Sequence, residues 1–114
     1  MDFSKEFIKR SEKKILVCCP KRAIDAAIGK QIRADIENCL SDFDALILNF
    51  SEVNRLDSEG LRELVLIIKL IKNNDKMLFL TALQDEVRDV FEKTSLIDIL
   101  KILKTNEDAV KLLR

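Results

Sequence analysis

The residues with the clearest chemistry are Asp57-Ser58-Glu59-Gly60, which lie between an aliphatic run and a long apolar segment. The first turn of a helix leaves backbone N–H groups without intrahelical acceptors, and the aligned peptide dipoles favour negative charge there. A side-chain oxygen of Asp57 or Ser58 can therefore cap the helix, which is worth about 1 kcal/mol. Alternatively, the Ser58 hydroxyl is an exposed acceptor for a phosphoryl group. Local chemistry alone favours the cap, because such caps are common.

Two elements must position this segment. Residues 45–50 are almost uncharged and mostly aliphatic, which is typical of a strand buried on both faces of a sheet. A helix is predicted from Ser58 to about Lys72. Its large aliphatic residues Leu66 and Leu70 fall on the side opposite the sheet, where they either contact another chain, are covered by a neighbouring segment or are singly exposed. The stripe that should face the sheet consists of Leu61, Leu64, Val65, Ile68 and Ile71.

The rest of the chain alternates between strand and helix patterns. Residues 3–10 and 15–19 are predicted to be strands that form an antiparallel pair, and the second ends at Pro20, the only proline. Helices are predicted at 26–40, 85–93 and from about 105 to 113, with a further strand at 77–82. Residues 95–102 fit either a short helix that leads into a strand or a strand alone.

This alternation indicates βαβ units, so the expected fold class is α/β. We expect a mixed, largely parallel sheet of four to five strands packed with about four helices. The 114 residues are enough for one core, so a single domain over residues 1–114 is expected. In such folds, partners usually bind where the carboxyl ends of the strands and the loops after them share one edge. Residues 57–60 belong to that edge.

Composition argues against several classes of function. Twenty basic and twenty acidic residues are interspersed, so no basic stripe for nucleic acid is present. Trp, Tyr and His are absent, which removes most stacking platforms and the commonest general base and metal ligand. An enzyme using Asp25, Asp57 and Ser58 is disfavoured because Ser58 has no identifiable base. We therefore expect no enzymatic activity, no metal, no cofactor and no nucleic acid partner.

The cysteines and the amino terminus bear on location. Cys18, Cys19 and Cys39 are too few for a disulfide framework, and adjacent strand residues point to opposite faces, so they are expected to be small hydrophobes. The first six residues lack the basic start and apolar run of a signal peptide. The aliphatic run at 64–68 is far shorter than the roughly 20 residues that span a bilayer. A reduced, cytoplasmic protein with no membrane span is expected.

The order of these features resembles the bacterial anti-sigma factor antagonists, which are single STAS domains. The most specific part is Asp57-Ser58, one further residue, then Gly60-Leu61, between a buried strand and an aliphatic helix. The resemblance extends over residues 15–110 and also includes Leu46-Ile47-Leu48-Asn49-Phe50, Met77-Leu78-Phe79-Leu80, Val87-Arg88 and Thr94-Ser95-Leu96. It reverses the local preference for Ser58 as a cap.

The resemblance implies a partner switch. In that family, the serine directly after the aspartate is phosphorylated by an anti-sigma factor that is also a serine kinase, and by position this serine is Ser58. The unphosphorylated antagonist binds the kinase and frees a sigma factor, whereas the phosphorylated form does not bind and a serine phosphatase restores it. ATP would then be bound by the partner. Whether the free protein is a monomer or a weak homodimer stays open.

The resemblance also implies a partner-binding surface. Asp57 and Gly60 match the positions that flank the acceptor, and Asp25 matches an aspartate that follows the second strand near the same surface. Glu59 and Arg62 complete the expected set around Ser58. Arg62 either absorbs part of the phosphate charge or only pairs with Glu59 one turn away.

Several positions depart from the family pattern. Arg22 and Ser95 stand where glycine is usual or frequent, and Glu59 stands where a small residue is commoner. Residues 73–75, Asn-Asn-Asp, lack the usual glycine turn, although Asn tolerates the same left-handed conformation. A second interpretation is a STAS module without a sigma-factor role, acting as a signalling scaffold or as a subunit of a lipid transport system.

Charge indicates how the switch would work. A phosphoserine adds nearly two negative charges beside Asp57 and Glu59, and each like-charge pair at about 4 Å costs roughly 1 kcal/mol in water or 4 kcal/mol near a protein surface. The helix end returns only about 0.3 to 1 kcal/mol. We therefore expect phosphorylation to act by clash and repulsion at the interface and not by refolding the domain.

Overall fold

The computed structural model describes residues 2–113. In chain order it contains β1 (Phe3–Arg10), β2 (Lys13–Pro20), α1 (Ala26–Asn38), β3 (Ala45–Asn49), α2 (Ser58–Asn73), β4 (Met77–Thr81), α3 (Asp85–Lys93), β5 (Lys101–Leu103) and α4 (Asn106–Leu112). Short 3-10 turns occupy Leu40–Asp42 and Leu96–Asp98. The ambiguous stretch at 95–102 is therefore a short helical turn that leads into a strand.

The five strands form one sheet in the order β1-β2-β3-β4-β5. The β1–β2 pair is antiparallel, and every later pair is parallel. Each parallel crossover contains one α-helix, which is the usual connection between neighbouring parallel strands. The predicted α/β class, with a largely parallel sheet and four helices, is confirmed.

Strand β3 is the centre of the core. Its alternating side chains Leu46 and Leu48 pack with the helices α1, α2 and α3, whereas Ala45 and Ile47 pack on the other face with α4. All four side chains are at most 1% exposed, which confirms a strand buried on both faces. The loop that leads from β3 to Ser58 therefore begins at a strand buried on both faces.

The apolar stripe of α2 is wider than predicted. Ile67 is buried and Glu63 is only 5% exposed, while Leu70 is half-buried against the main core. Leu70 is thus covered by neighbouring elements, one of the arrangements that the sequence left open, because α2 packs against the sheet and also alongside α1. Leu66 does remain exposed.

Two of the turns with left-handed residues stand where glycine is usual or frequent in the family pattern. Asp75, with φ 57°, takes the left-handed conformation after α2, whereas Asn74 has φ −108°. The expectation that an asparagine adopts this conformation was therefore wrong, and the aspartate does so because the helix extends one residue further. Ser95 has φ 62°, so a serine occupies a position that glycine would fill without strain.

The cysteines are free thiols, of which Cys18 and Cys39 are buried and Cys19 is half-buried. Burial raises the pKa of Cys18 to about 12, so this thiol stays protonated near neutrality.

Within residues 2–113, no helix is both long enough and apolar enough to cross a membrane.

Candidate functional site

Helix α2 begins with a side-chain cap from Asp57. This residue has extended backbone angles, φ −83° and ψ 175°, and its Oδ1 accepts a hydrogen bond from the Gly60 backbone N at 2.7 Å. Its carbonyl oxygen accepts the first helical bond, from the backbone N of Leu61, at 2.8 Å. Asp57 is therefore the N-cap, and Ser58 is the first residue inside the helix.

Because Asp57 supplies the cap, the Ser58 side chain has no structural task at this position. Ser58 is exposed, and none of the hydrogen bonds within residues 2–113 involves its hydroxyl. The backbone N–H groups of Ser58 and Glu59 likewise lack acceptors in this part of the chain. The Ser58 hydroxyl is therefore open to solvent, and it lies beside backbone N–H groups that can donate hydrogen bonds to an anion.

A second helix start lies next to this one. Asp25 caps α1, with its Oδ1 accepting from the Ile28 backbone N at 2.9 Å. A parallel bridge joins Ile24 to Leu56, so the residues just before the two caps are paired. The structure therefore places Asp25 and Asp57, 32 residues apart in the chain, side by side at one edge of the sheet.

Gly60 has a packing role within this arrangement. It is buried, and a Cβ built on it would lie 2.1 Å from the backbone oxygen of Ile24. Gly29 plays the same role on α1, where a Cβ would lie 2.5 Å from the Cβ of Glu63. The two glycines let α1 and α2 approach closely, and this contact fixes the spacing of the two capped helix starts.

The charged residues around Ser58 are paired with one another. Arg62 Nη1 lies 3.6 Å from Glu59 Oε2, which is one of the two arrangements that the sequence leaves open for Arg62. Arg22 lies 3.7 Å from Asp25 through Nη2. These groups are more than 40% exposed, so their pairing contributes little to stability and leaves them available to a partner.

Lys21 and Glu52 add a further pair at this edge. Lys21 Nζ donates to Glu52 Oε2 at 2.8 Å, and this hydrogen bond raises the pKa of Lys21. Glu52 lies in the loop between β3 and α2, so the pair links the end of β2 to the segment that leads to Asp57.

The sequence analysis did not identify the polar network that supports this loop. Thr81, fully buried, donates to Asn106 Oδ1 at 2.6 Å, and Asn49 Nδ2 donates to the same oxygen at 3.1 Å. Asn49 Oδ1 in turn accepts from the backbone N of Ser51 at 2.9 Å. The signal was available, since Asn49 and Thr81 are the polar last residues of two buried strands.

A second overlooked contact connects the helices themselves. Arg33 Nε donates to Glu63 Oε1 at 2.9 Å, and the Glu63 side chain is only 7% exposed. A buried carboxylate on an otherwise apolar helix face requires such a partner.

Residues 2–113 contain no group of three or more His, Cys, Asp or Glu side chains that could hold a metal ion.

Comparison with known proteins adds a family and several relatives. The STAS domain model matches residues 6–109. BtrV of Bordetella bronchiseptica, which is named as an anti-sigma factor antagonist, is 24% identical over 96 residues, covering 83% of each chain. The chain is thus similar to a protein of that name over most of its length.

Two solved structures have closely similar folds. The unphosphorylated form of the Bacillus anti-sigma factor antagonist SpoIIAA superposes with a TM-score of 0.78, at 20% identity, covering 97% of this chain and 96% of that chain. A sulfate transporter family protein from Wolinella succinogenes has a TM-score of 0.79 at 13% identity, covering 87% and 86%. At these identities the likeness establishes the fold alone.

Proposed function

Because the chain belongs to the STAS domain family, we propose that it is an anti-sigma factor antagonist controlled by phosphorylation of Ser58. In its unphosphorylated form it binds an anti-sigma factor with serine kinase activity in the cytoplasm. Phosphorylation of Ser58 by that partner ends the binding, and a serine phosphatase restores it. The match to BtrV supports the antagonist assignment.

The observation that carries the proposal is that Asp57, and not Ser58, caps helix α2. Asp57 already caps α2, so the exposed Ser58 hydroxyl is free to react without loss of the helix start. A serine kept only for capping would bond to a backbone N–H two or three residues further on. Ser58 forms no such bond in the described part of the chain.

The partner surface consists of the exposed groups at this edge. Asp25, Asp57, Glu59 and Arg62 surround Ser58 and offer charged hydrogen-bonding groups, and Gly60 acts through the close packing that holds the two helix starts together. ATP is bound by the partner, and this chain has no cofactor of its own in the proposal.

Phosphorylation acts by repulsion in this proposal. The added phosphate lies beside the Asp57 and Glu59 carboxylates, and each like-charge pair at about 4 Å costs roughly 1 kcal/mol in water and about 4 kcal/mol near a protein surface. The free N–H groups of Ser58 and Glu59 offset about 0.3 to 1 kcal/mol of this cost. The phosphate therefore stays exposed and clashes with the partner, while the fold is unchanged.

A capture experiment with matched variants tests the proposal. Wild-type protein, Ser58→Ala, Ser58→Asp and Ser41→Asp are used to recover proteins from lysate of the native bacterium, and the recovered proteins are identified by mass spectrometry. We expect an anti-sigma factor kinase with the wild type, Ser58→Ala and Ser41→Asp, and none with Ser58→Asp. Ser41 is an exposed serine in the turn after α1, so its variant controls for the added charge alone.

The second candidate is a STAS module without a sigma-factor role, such as a signalling scaffold or a subunit of a lipid transport system. The Wolinella structure supports it only to the extent that a sulfate transporter family protein has the same fold. In that case all four baits would retain the same partners, none of which would be an anti-sigma factor kinase.

A further inference from the structure

A basic groove lies at the edge of the sheet opposite Ser58. It runs between the carboxyl end of α2 and the segment before β5, across the amino end of β4, and has a volume of about 160 Å³. Three lysines line it, Lys72, Lys76 and Lys101, together with the exposed apolar residues Met77 and Ile99. Because Met77 begins β4 whereas the loops near Ser58 follow the strand ends, the groove and Ser58 lie at opposite ends of the strands.

The three lysines lack acidic partners. Each of the seven ion pairs found within residues 2–113 involves other cationic residues. Three lysine side chains therefore line one groove, and none of them has a carboxylate of the described residues within ion-pair distance.

Contacts hold two of these ammonium groups, one of them away from the groove. Lys76 Nζ donates to the backbone oxygen of Phe43 at 2.8 Å and lies 5.4 Å from the Phe43 ring centroid, and Phe43 does not line the groove. Lys101 Nζ lies 6.0 Å from the ring centroid of Phe79, which does line it. This contact restricts the Lys101 side chain, so a ligand that binds its ammonium group loses less rotamer entropy.

The sheet has a gap at the same place. Strand β5 pairs only with residues 79–81 of β4, so Met77 and Leu78 extend beyond it without a β5 partner. An extended peptide can bind beside an exposed strand edge through main-chain hydrogen bonds and place its side chains in adjacent pockets. The volume is small beside the roughly 300–1,000 Å³ of small-molecule sites, so it suits one or two aliphatic side chains.

We propose that this groove binds an extended, acidic segment of a partner protein, with aliphatic side chains against Met77 and Ile99 and carboxylates on Lys72 and Lys101. The lysines of the groove favour an acidic segment, and the part of β4 that has no β5 partner favours an extended peptide. The contact would let the protein hold a second partner while the Ser58 edge is occupied or phosphorylated.

Fluorescence anisotropy with a defined probe tests this proposal. The probe is a short fluorescein-labelled peptide in which glutamate alternates with leucine, measured at about 0.15 M salt, where distant charges are screened. We expect saturable binding that weakens about tenfold in the Lys72→Glu/Lys101→Glu double variant. The matched control, Lys69→Glu/Lys104→Glu, makes the same charge change at exposed lysines outside the groove and should alter affinity less than about twofold.

Two further measurements make the result specific. Backbone amide spectra should show the largest peptide-induced shifts at residues 76–79 and 99–101, and Ser58→Asp should bind the peptide as the wild type does.

Absence of saturable binding, or equal weakening by both double variants, would overturn the proposal. Lysine-dependent binding to phosphatidylglycerol vesicles but not to the peptide would instead assign the groove to a membrane surface. Self-association lost in Lys72→Glu/Lys101→Glu would assign it to a second copy of the chain.

Discussion

The amino ends of α1 and α2 have the same construction and differ in the residue after the cap. Asp25 and Asp57 each bond through Oδ1 to the backbone N three residues on, at 2.9 and 2.7 Å. The residue that follows is the half-buried Ala26 in α1 and the exposed Ser58 in α2. Since α1 starts well without a hydroxyl at this position, the serine of α2 is not needed to form the helix.

The comparison separates structural requirements from those of the switch. Both helix starts need an aspartate cap, a paired residue before it and a glycine where the helices approach. The exposed serine is the element that α1 lacks. Changes to the shared features should therefore destabilise the fold, whereas changes to Ser58 should leave stability intact and alter binding.

The largest effect is expected from Gly60→Ala. The added Cβ would lie 2.1 Å from the Ile24 oxygen, a backbone atom that can move only if the Ile24–Leu56 bridge is disturbed. We expect a loss of about 3 kcal/mol in the free energy of unfolding, despite the roughly 1 kcal/mol that alanine gains over glycine in a helix. Urea denaturation measures it, and unchanged or increased stability would show that the contact is looser than the structure indicates.

Arg33→Ala should have the next largest effect. It leaves the buried Glu63 carboxylate without its 2.9 Å partner, at an expected cost of about 2 kcal/mol because water reaches the partly exposed arginine. Glu37→Ala is the matched control, since it removes the exposed second partner of Arg33 at 3.4 Å and should change stability by less than about 0.5 kcal/mol. Equal losses in thermal denaturation would contradict the importance of burial.

The caps themselves give a smaller effect and the sharpest test of the comparison. Asp25→Ala and Asp57→Ala should each lower stability by about 1 kcal/mol, because each leaves a helix N–H without its acceptor. Ser58→Ala should stay within about 0.5 kcal/mol of the wild type. If chemical denaturation shows that Ser58→Ala lowers the free energy of unfolding as much as Asp57→Ala does, the Ser58 hydroxyl takes part in capping. The separate roles of Asp57 and Ser58 would then be contradicted.

The smallest effect concerns backbone strain away from both helix starts. Ser95 has φ 62°, where glycine is relaxed and other residues pay roughly 1 kcal/mol. Ser95→Gly should therefore raise the free energy of unfolding by about 0.5 to 1 kcal/mol. Ser41→Gly, in a right-handed turn, should lower it slightly. A destabilised Ser95→Gly variant would point to a contact of the serine side chain that outweighs the strain.

Much of the fold could be predicted because its signals are local. The alternation of apolar runs, and capping residues such as Thr105, whose Oγ1 accepts from the Asp108 backbone N at 3.1 Å, gave the element order. The aliphatic run of β3 identified the central strand, since few other positions tolerate such a sequence. The candidate site was predicted from a polar segment placed between a strand and a helix, together with the resemblance to the antagonist family.

The remaining features depend on contacts between distant residues. The choice of Asp57 over Ser58 as the cap is a matter of backbone angles that sequence alone leaves open. The contact between Glu63 and Arg33 could not be predicted, because Arg33 lies on another helix, 30 residues earlier. The environment of Leu70 stayed open for a related reason, since a single-helix projection does not include the flank covered by neighbouring elements.

The most direct test of the account moves the serine from one helix start to the other. The captured kinase is purified, incubated with ATP and each bait, and the baits are analysed by intact mass and phosphosite mapping. Wild type should gain one phosphate, at Ser58, and then lose the partner. Ser58→Ala should gain none, and Ser58→Ala/Ala26→Ser should also gain none, because the α1 position is half-buried. Phosphate on Ser58→Ala, or partner binding that survives full phosphorylation of Ser58, would contradict the account.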